Sequence, residues 1–505
     1  MGAMRYWLST ALAAGLLFAG TVEAQTSPVQ TSPVRAAPAA GNTALNIMQA
    51  TADYDAGKCA EALPILAQLW DDAALKASDP GLAADFRAKR VLCTAQVSGV
   101  ATALPLSAEN LSQAPVSVDA YGLHAFLQLS NNQPVEASRT LDTALDALGP
   151  KGADLADLSV LGTLVLLQDK DKARQAALMA HLEDAHWQVH DITSRPVLDL
   201  FRLEGLRADA AAGDKTHAAA YRADIARDST IYILSQGDGR VSLGDAPPKD
   251  LRVILAAEIA DTKGYIVKNS RDLSAISYLV GLEITAGDEE IALKQVNAMI
   301  DLIDANTLSA FENTDSYGNL LSQKAVLLAD LGKTDEADTA YAQGEARLQG
   351  GGGIEFYLNE LSYLIDRGRE KDAVALASRF DVSNLQVDQK AAIASLVACA
   401  FAYQGDSTDY GTIINAMPDG IVMKTRPLLC AGDAAAAARN TIAMVKDEDA
   451  RDAMIVFLQD RQPGIAWGAR NQIYIDAVAA LRKRGDVLSA GSQANILVRS
   501  WPVRF

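Results

Sequence analysis

Apolar residues recur at helical spacing along almost the whole chain from Asn42 onward. In one clear stretch, Leu155, Leu158, Leu161 and Val165 follow one another at intervals of three or four residues and share one face of a helix. Apolar residues make up 49% of the chain but aromatic residues only 6%, so Ala, Leu, Ile and Val must fill the core. This balance favours helices packed on helices, and we expect an all-α fold.

Glycine turns recur between the predicted helices, and each is followed five residues later by an alanine. We expect the glycine to adopt the left-handed conformation that caps one helix, and the alanine to let the next helix pack closely on its partner. These pairs are Gly57/Ala62, Gly213/Ala218, Gly287/Ala292, Gly332/Ala337, Gly368/Ala373, Gly432/Ala437 and Gly485/Ala490, with Asn132/Ala137 and Gly405/Tyr410 as variants. Positions 292, 337, 373 and 410 are 45, 36 and 37 residues apart.

The stretch from Gly332 to Ala337, followed by Tyr341 and Gly344, resembles the second helix of a tetratricopeptide repeat. That helix carries a small residue and then an aromatic one, and Ala325 and Leu328 fit the packing positions of the first helix. Elsewhere the motif weakens, and the family's tryptophan is mostly missing. The resemblance to degenerate tetratricopeptide (Sel1-like) repeats implies an α-solenoid of antiparallel helix pairs that holds a partner. An irregular helical bundle with similar turns is the alternative.

The repeats are expected to form several arrays behind an N-terminal extension. Residues 1–24 are predicted to be a signal peptide, and the proline-containing residues 25–42, with two copies of Thr-Ser-Pro-Val, a disordered linker. The predicted arrays are an N-terminal one over 43–236, central tetratricopeptide-like repeats over 247–349, and a C-terminal one over 354–505. A glycine- and proline-rich loop and the four glycines at 350–353 separate them.

The first residues indicate export. Arg5 provides a positive start, an apolar run extends from about Tyr6 to Ala19, and Val22-Glu23-Ala24 fits a cleavage site before Gln25. The run is too short to cross a bilayer, and no cysteine stands at the mature N-terminus to carry a lipid anchor. We predict a periplasmic or secreted protein without a membrane span.

The net charge argues against polyanionic partners. Lys and Arg number 45 and Asp and Glu 63, which gives −18 at pH 7. Such a chain repels nucleic-acid backbones and anionic lipid surfaces, so we expect neither as a partner.

The four cysteines form two local groups. In an oxidising compartment the helical register predicts one disulfide between Cys59 and Cys93 and another between Cys399 and Cys430. Neither group has the Cys-x-x-Cys spacing of a redox or zinc site, and free buried thiols are the alternative.

Histidines cluster in one segment. His186 and His190 are four residues apart and are predicted to share a helical face with Glu183, while His181 lies nearby. Such a set could hold a divalent ion weakly, but one helix supplies too few ligands for a structural site. We therefore expect no metal and no cofactor.

No catalytic motif is found in the sequence, so we expect a binding scaffold in the cell envelope whose partner is a protein or peptide, and not an enzyme. An envelope-acting enzyme, or an accessory module of one working on cell-wall polymer, is the alternative; paired carboxylates in a cleft would favour it. Tyrosines on the predicted helices are candidate partner anchors. These are Tyr317, Tyr341, Tyr357, Tyr363 and Tyr403.

Overall fold

The computed structural model describes residues 43–113, 116–213, 216–241, 249–348, 353–380, 382–383 and 385–503. The predicted signal peptide and linker, residues 242–248 and three of the four consecutive glycines lie outside the described residues. The described residues are predominantly helical, and the predicted all-α repeat fold is confirmed. They divide into two compact units, an N-terminal unit up to Ala208 and a C-terminal unit from Asp209 onward. The predicted three arrays stay a prediction.

The N-terminal unit consists of helices joined by short turns. They are α1 (Thr43–Asp55), α2 (Cys59–Asp71), α3 (Ala73–Ser78), α4 (Pro80–Ser98), α5 (Val100–Leu111), α6 (Val118–Ser130), α7 (Pro134–Leu148), α8 (Asp157–Lys170), α9 (Lys172–Asp184) and α10 (Arg195–Ala212), whose last residues belong to the C-terminal unit. Short 3-10 helices span Gly149–Asp154 and Ile192–Ser194.

Buried polar contacts lie both between and within the helix pairs of this unit. The Ser159 hydroxyl on α8 donates to the backbone carbonyl of Gly122 on α6, at 2.9 Å. Trp187, just beyond α9, is buried and its indole N–H donates to the carbonyl of Leu155 at 3.0 Å. These bonds satisfy polar groups that would otherwise be costly to bury.

The C-terminal unit continues the helical pattern and adds two short strands. Its elements are α11 (Ala218–Ile225), α12 (Ser229–Gly237), α13 (Leu251–Lys268), α14 (Leu273–Ala286), α15 (Glu289–Ala305), α16 (Tyr317–Asp330), α17 (Thr334–Leu348), α18 (Ile354–Asp366), α19 (Glu370–Ala377), α20 (Val387–Gln404), α21 (Ser407–Ala416), α22 (Val422–Cys430), α23 (Ala434–Lys446), α24 (Arg451–Leu458), β1 (Asp460–Arg461), α25 (Ala469–Arg482), α26 (Gly485–Gln493) and β2 (Ser500–Trp501). Further 3-10 helices span Leu308–Ala310 and Thr314–Ser316.

From α14 to α23 the helices form consecutive pairs, which we call the repeat region (residues 273–446). The first helix of each pair packs on the first helix of the next, from α14 to α16, α18, α20 and α22. This contact pattern is that of stacked helix pairs.

Most of the predicted glycine caps are confirmed. After α16, Gly332 has a φ of +75°, and the N–H of Lys333 donates to the carbonyl of Leu328 at 2.8 Å, which closes the helix end. The same left-handed conformation occurs at Gly57, Asn132, Gly213, Gly287, Gly368, Gly405 and Gly432. Gly485 is different: it is the first residue of α26 and has no positive φ, so the prediction of a cap there was wrong.

The predicted alanines are buried where the second helices meet their partners. Ala62, Ala137, Ala292, Ala337, Ala373 and Ala437 are each at most 1% exposed, and Ala218 and Ala490 are 4% and 7% exposed. Tyr410, which takes the place of alanine after Gly405, is half-buried. A small side chain at this position therefore marks the closest contact within a pair.

Helices α17 and α18 approach each other closely at Gly344. A Cβ atom added to Gly344 would lie 2.6 Å from ring carbons of Phe356, which is fully buried. Tyr341 packs edge-on against the same ring, with centroids 5.7 Å apart. Glycine is needed at position 344 because a larger side chain would clash with Phe356, and not because of its backbone conformation.

Residues 459–503, which we call the terminal segment, pack against helices that lie far away in sequence. β1 and β2 pair in parallel, with Asp460 opposite Ser500. Backbone hydrogen bonds connect the segment to the end of α12 and the residues just after it, with Leu497 N–H donating to Gly237 and Gly239 N–H to Asn495, each at 2.8 Å. The segment therefore depends on long-range contacts.

Across the described residues, no helix is long and apolar enough to cross a membrane.

Candidate functional site

The predicted tyrosine anchors are mostly packing residues. Tyr317, Tyr341, Tyr357 and Tyr363 are 7%, 2%, 8% and 0% exposed, and they belong to the core of the repeat region. Tyr403 is half-buried. Their contact with a partner stays a prediction.

Tyr363 lies near the carboxyl ends of α16 and α18, beneath a surface to which Trp467 binds. Its hydroxyl donates to the carbonyl of Thr334 at 3.1 Å, which fixes the ring. Burial raises the pKa of Tyr363 to about 12, and a hydrogen bond with Asp338 acts in the same direction. The ring is therefore neutral and fixed, and its outer face contacts the indole of Trp467.

Trp467 is held by three groups of the repeat region. Its indole N–H donates to the Asp330 carboxylate at 2.6 Å, and its ring lies 5.7 Å from that of Tyr363 between centroids. Its backbone carbonyl accepts from Nη1 of Arg367 at 2.9 Å. We call Asp330, Tyr363 and Arg367 the Trp467 surface.

The chain on either side of Trp467 differs in its contacts. Residues 462–466 have no helix or strand and are mostly exposed. After Trp467, Arg470 stacks on the ring of Tyr403 at 4.7 Å and bonds Glu370 at 3.2 Å. Aromatic and charged contacts thus fix the start of α25, whereas the stretch before Trp467 lies in solvent.

An ion pair between the half-buried Arg426 and the buried Asp366 lies near the start of α25. Arg426 donates to the Asp366 carboxylate at 2.9 Å and to the Ser362 hydroxyl at 2.9 Å. Burial raises the pKa of Asp366, and the charge of Arg426 opposes that shift. Gly468, just before α25, lies against the end of α18: an added Cβ would come within 3.2 Å of the backbone carbonyl oxygen of Asp366.

Glu360 is a carboxylate of the repeat region with a strongly raised pKa. Burial, and to a smaller extent the charge of Glu345, raise its pKa to about 7, and Arg379 opposes this. Strongly displaced carboxyl groups occur at catalytic sites and also in packed cores. Glu360 lies on α18 close to the buried Tyr357 and Tyr341, whose pKa values are raised by burial and by Glu360.

The predicted histidine face is wrong because α9 ends at Asp184. His186 has a φ of +55° and takes the capping place that glycine has elsewhere, with Trp187 N–H donating to the Leu182 carbonyl at 2.9 Å. His181 instead contacts Asp142 at 3.0 Å, and His190 contacts Asp157 at 2.8 Å. Among the described residues, no group of three or more His, Cys, Asp or Glu side chains is arranged to hold a metal ion.

Both predicted disulfides are present. Cys59 at the start of α2 pairs with Cys93 on α4, with Cα atoms 4.9 Å apart. Cys399 on α20 pairs with Cys430 on α22, with Cα atoms 5.3 Å apart. The second bond joins two neighbouring first helices of the repeat region.

Sequence reasoning missed Trp467 entirely. One signal was available: Gln462-Pro463-Gly464 interrupts the helical pattern shortly before an isolated tryptophan in a chain with five tryptophans. Which helices receive that tryptophan could not be read from sequence, because Asp330 is 137 residues away.

No protein-family model matches the chain, and no curated protein matches it significantly. Among solved structures it is similar to a chain of the Naa15/Naa10 complex bound to HypK-THB, at 14% identity and a TM-score of 0.24, covering 90% of this chain and 66% of that one. It is also similar to a chain of the APC/C hetero-tetramer Cut9-Hcn1, at 11% identity and a TM-score of 0.25, covering 90% of both chains. Likenesses this weak carry no argument about function.

Proposed function

We propose that the protein is an exported helical-repeat scaffold that binds an extended segment of a protein or peptide partner at the Trp467 surface. One observation carries this proposal: the surface already holds an aromatic residue that follows an extended stretch of the protein's own chain. We propose binding and not catalysis as the activity.

The contacts at this surface are ones that a foreign peptide can reproduce. Asp330 accepts from an indole N–H, Tyr363 offers a fixed aromatic face, and Arg367 donates to a backbone carbonyl. Only the first two require an aromatic side chain, and the third recognises any extended backbone. An aromatic anchor with a main-chain hydrogen bond is a frequent basis for peptide recognition.

The stretch before Trp467 makes few backbone hydrogen bonds of its own. Residues 462–466 lack helix and strand, and Gln462 N–H donates to the carbonyl of Val503 at a long 3.3 Å. Releasing Trp467 would therefore break few backbone hydrogen bonds while exposing an acidic and an arginine side chain to a partner.

The proposed location in the periplasm or outside the cell rests on two features. The first residues have the pattern of a secretory signal peptide. The described residues contain two disulfides and no free cysteine, as is usual for proteins of oxidising compartments.

Quantitative crosslinking in the envelope of the producing cell tests the proposal. Three versions of the full chain are compared: wild type, Trp467→Ala, and a triple variant that adds Asp330→Ala and Arg367→Ala. Vacating the surface is expected to increase the capture of a specific partner, and the triple variant is expected to lose it. Equal capture by all three versions would contradict the proposal.

A further inference from the structure

The residues that follow Trp467 contact the repeat region at spaced positions. Trp467, Gly468 and Arg470 lie against it, whereas the side chain of Ala469 is exposed. The contacts therefore follow the order Trp-Gly-x-Arg, in which x is the exposed position. Each of the three contact positions favours one kind of residue, for a different physical reason.

The first position favours tryptophan over phenylalanine. Asp330 accepts a hydrogen bond from the indole N–H of Trp467 at 2.6 Å, and the indole packs against the ring of Tyr363. A hydrogen bond to a carboxylate is stronger than one between neutral groups. Phenylalanine would keep the ring contact but has no donor for the carboxylate, so it would lose that bond.

The second position is restricted by contact with backbone. A Cβ atom added to Gly468 would lie 3.2 Å from the carbonyl oxygen of Asp366 and 3.7 Å from Cα of Arg367, at the end of α18. The φ of Gly468, 174°, is that of an extended backbone, which any residue can adopt. Because a packed helix end moves less easily than the tip of a side chain, this contact favours glycine.

The fourth position is an arginine held by Glu370 and Tyr403, which we call the Arg470 site. Nε of Arg470 donates to the Glu370 carboxylate at 3.2 Å, and Nη2 donates to the backbone carbonyl of Tyr403 at 3.3 Å. The guanidinium also lies over the Tyr403 ring at 4.7 Å. A planar guanidinium with several donors can make these contacts together, whereas the ammonium of lysine is a point charge. The site therefore favours arginine over lysine.

We propose that the partner segment carries the motif Trp-Gly-x-Arg. This inference rests on the proposed function, because it names the side chains by which the partner would replace the resident segment. The motif brings an aromatic anchor, a close backbone contact and a cation to a chain whose net charge is −18. A segment with an acidic residue in place of the arginine would meet Glu370 and be rejected.

Fluorescence anisotropy with labelled peptides tests the motif. The receptor is the full chain with Trp467→Ala and Arg470→Ala, which vacates both side-chain contacts. The probes are a peptide of residues 462–474 and its variants Trp467→Phe, Gly468→Ala and Arg470→Lys, with Ala469→Ser as the control. The peptide includes Asn471, whose side chain accepts from the Trp467 N–H at 3.1 Å and so orders the turn.

The unsubstituted and control peptides are expected to bind with equal affinity. Trp467→Phe is expected to weaken binding at least about tenfold, and Gly468→Ala and Arg470→Lys at least about threefold each. Unchanged affinity for any of these three peptides would overturn the motif while leaving the proposed function intact. No binding of any peptide would overturn both.

A charge reversal tests whether Glu370 recognises the arginine. Glu370→Arg in the receptor is expected to remove most of its preference for the unsubstituted peptide over an Arg470→Glu peptide. Glu336→Arg, at an exposed position of α17, is the matched control and should keep that preference. An unchanged preference in the folded Glu370→Arg receptor would contradict the motif.

If the receptor variants do not fold, hydrogen exchange in single variants of the full chain decides. Gly468→Ala and Arg470→Lys are each expected to speed amide exchange over residues 462–474 severalfold, because they weaken the contacts that fix this stretch, and Ala469→Ser is not. Exchange at the wild-type rate in Gly468→Ala and Arg470→Lys would overturn the motif.

Discussion

The repeat region and the terminal segment belong to the same unit but are stabilised in different ways. In the repeat region, each pair has a glycine cap, followed five residues later by an alanine in every pair but α20/α21, which has Tyr410, and its main contacts are with its sequence neighbours. In the terminal segment, short strands and an isolated tryptophan contact residues that are up to 263 positions away. Local patterns therefore specify the array, whereas a few long-range contacts fix the segment that lies on it.

This difference suggests separate roles. A repeat array built from local contacts can be extended or shortened without loss of its fold. The stretch from Gln462 to Trp467, which makes few backbone hydrogen bonds, can be released while the array stays folded, because local stability differs across a structure. The Trp467 surface lies where the two meet.

The largest effect is expected where the terminal segment is fixed to the end of α12. Arg451 donates to the fully buried Asp238 at 2.9 Å and to the carbonyls of Ala494 and Asn495. Arg451→Met removes one of the two arginines that pair with the buried Asp238 carboxylate. We expect the free energy of unfolding to fall by about 3–5 kcal/mol. Urea denaturation measures this. Arg484→Met, which removes an exposed ion pair with Asp486, is the control and should cause no measurable loss of stability. A similar loss in both variants would contradict the claim that the buried contact between Arg451 and Asp238 stabilises the protein.

A smaller loss is expected from the tightest contact of the repeat region. Gly344→Ala places a methyl group 2.6 Å from the Phe356 ring, and we expect it to reduce the free energy of unfolding by about 1–3 kcal/mol. Gly411 also lies inside a helix, but an added Cβ there meets no atom within 4 Å. Gly411→Ala should therefore stabilise the protein, by roughly 0.5–1 kcal/mol. Equal effects of the two substitutions would show that contact is not the determinant.

A pH-dependent effect is expected at Glu360, which is 8% exposed. Its pKa is raised from 4.5 to about 7 in the folded protein, so the folded state holds this proton more tightly than the unfolded state. Stability is then lost as the pH rises from about 4.5 through 7, and it does not change further above that range. We expect Glu360→Gln to be more stable than wild type by roughly 1–3 kcal/mol at pH 8 and equal to it near pH 4.

Thermal or urea unfolding across this pH range provides the measurement. Glu336→Gln, at an exposed position of α17, is the matched control and should give parallel curves. A stability difference between Glu360→Gln and wild type that is the same at pH 4 and pH 8 would contradict the assignment.

The same contrast explains how far the sequence could predict the structure. The caps, the buried alanines and both disulfides were predictable, because each depends on residues close in sequence or on helical register. The predictions of a cap at Gly485 and of a helical face that includes His186 were wrong. Glycine can also begin a helix, and here a histidine adopts the left-handed capping conformation just before the buried Trp187. The tyrosines looked like surface anchors because helical periodicity does not show that neighbouring pairs cover a face.

The sequence predicted the kind of site, one that binds a partner, but not the residues that form it. A repeat fold indicates partner binding, but the Trp467 surface requires Asp330 and Trp467 to meet across 137 residues. The Arg470 site likewise requires Glu370 and Arg470 to meet across 100 residues. Such juxtapositions arise from packing and leave no periodic signal.

The central claim is that the Trp467 surface is a peptide-binding site that the protein's own segment occupies. Fluorescence anisotropy with a labelled peptide of residues 462–470 tests it most directly, using full-length wild type and the Trp467→Ala variant. We predict saturable binding to Trp467→Ala, no binding to wild type, and none when the peptide's tryptophan is replaced by alanine. Equal binding to both proteins, or no binding to Trp467→Ala, would contradict the claim.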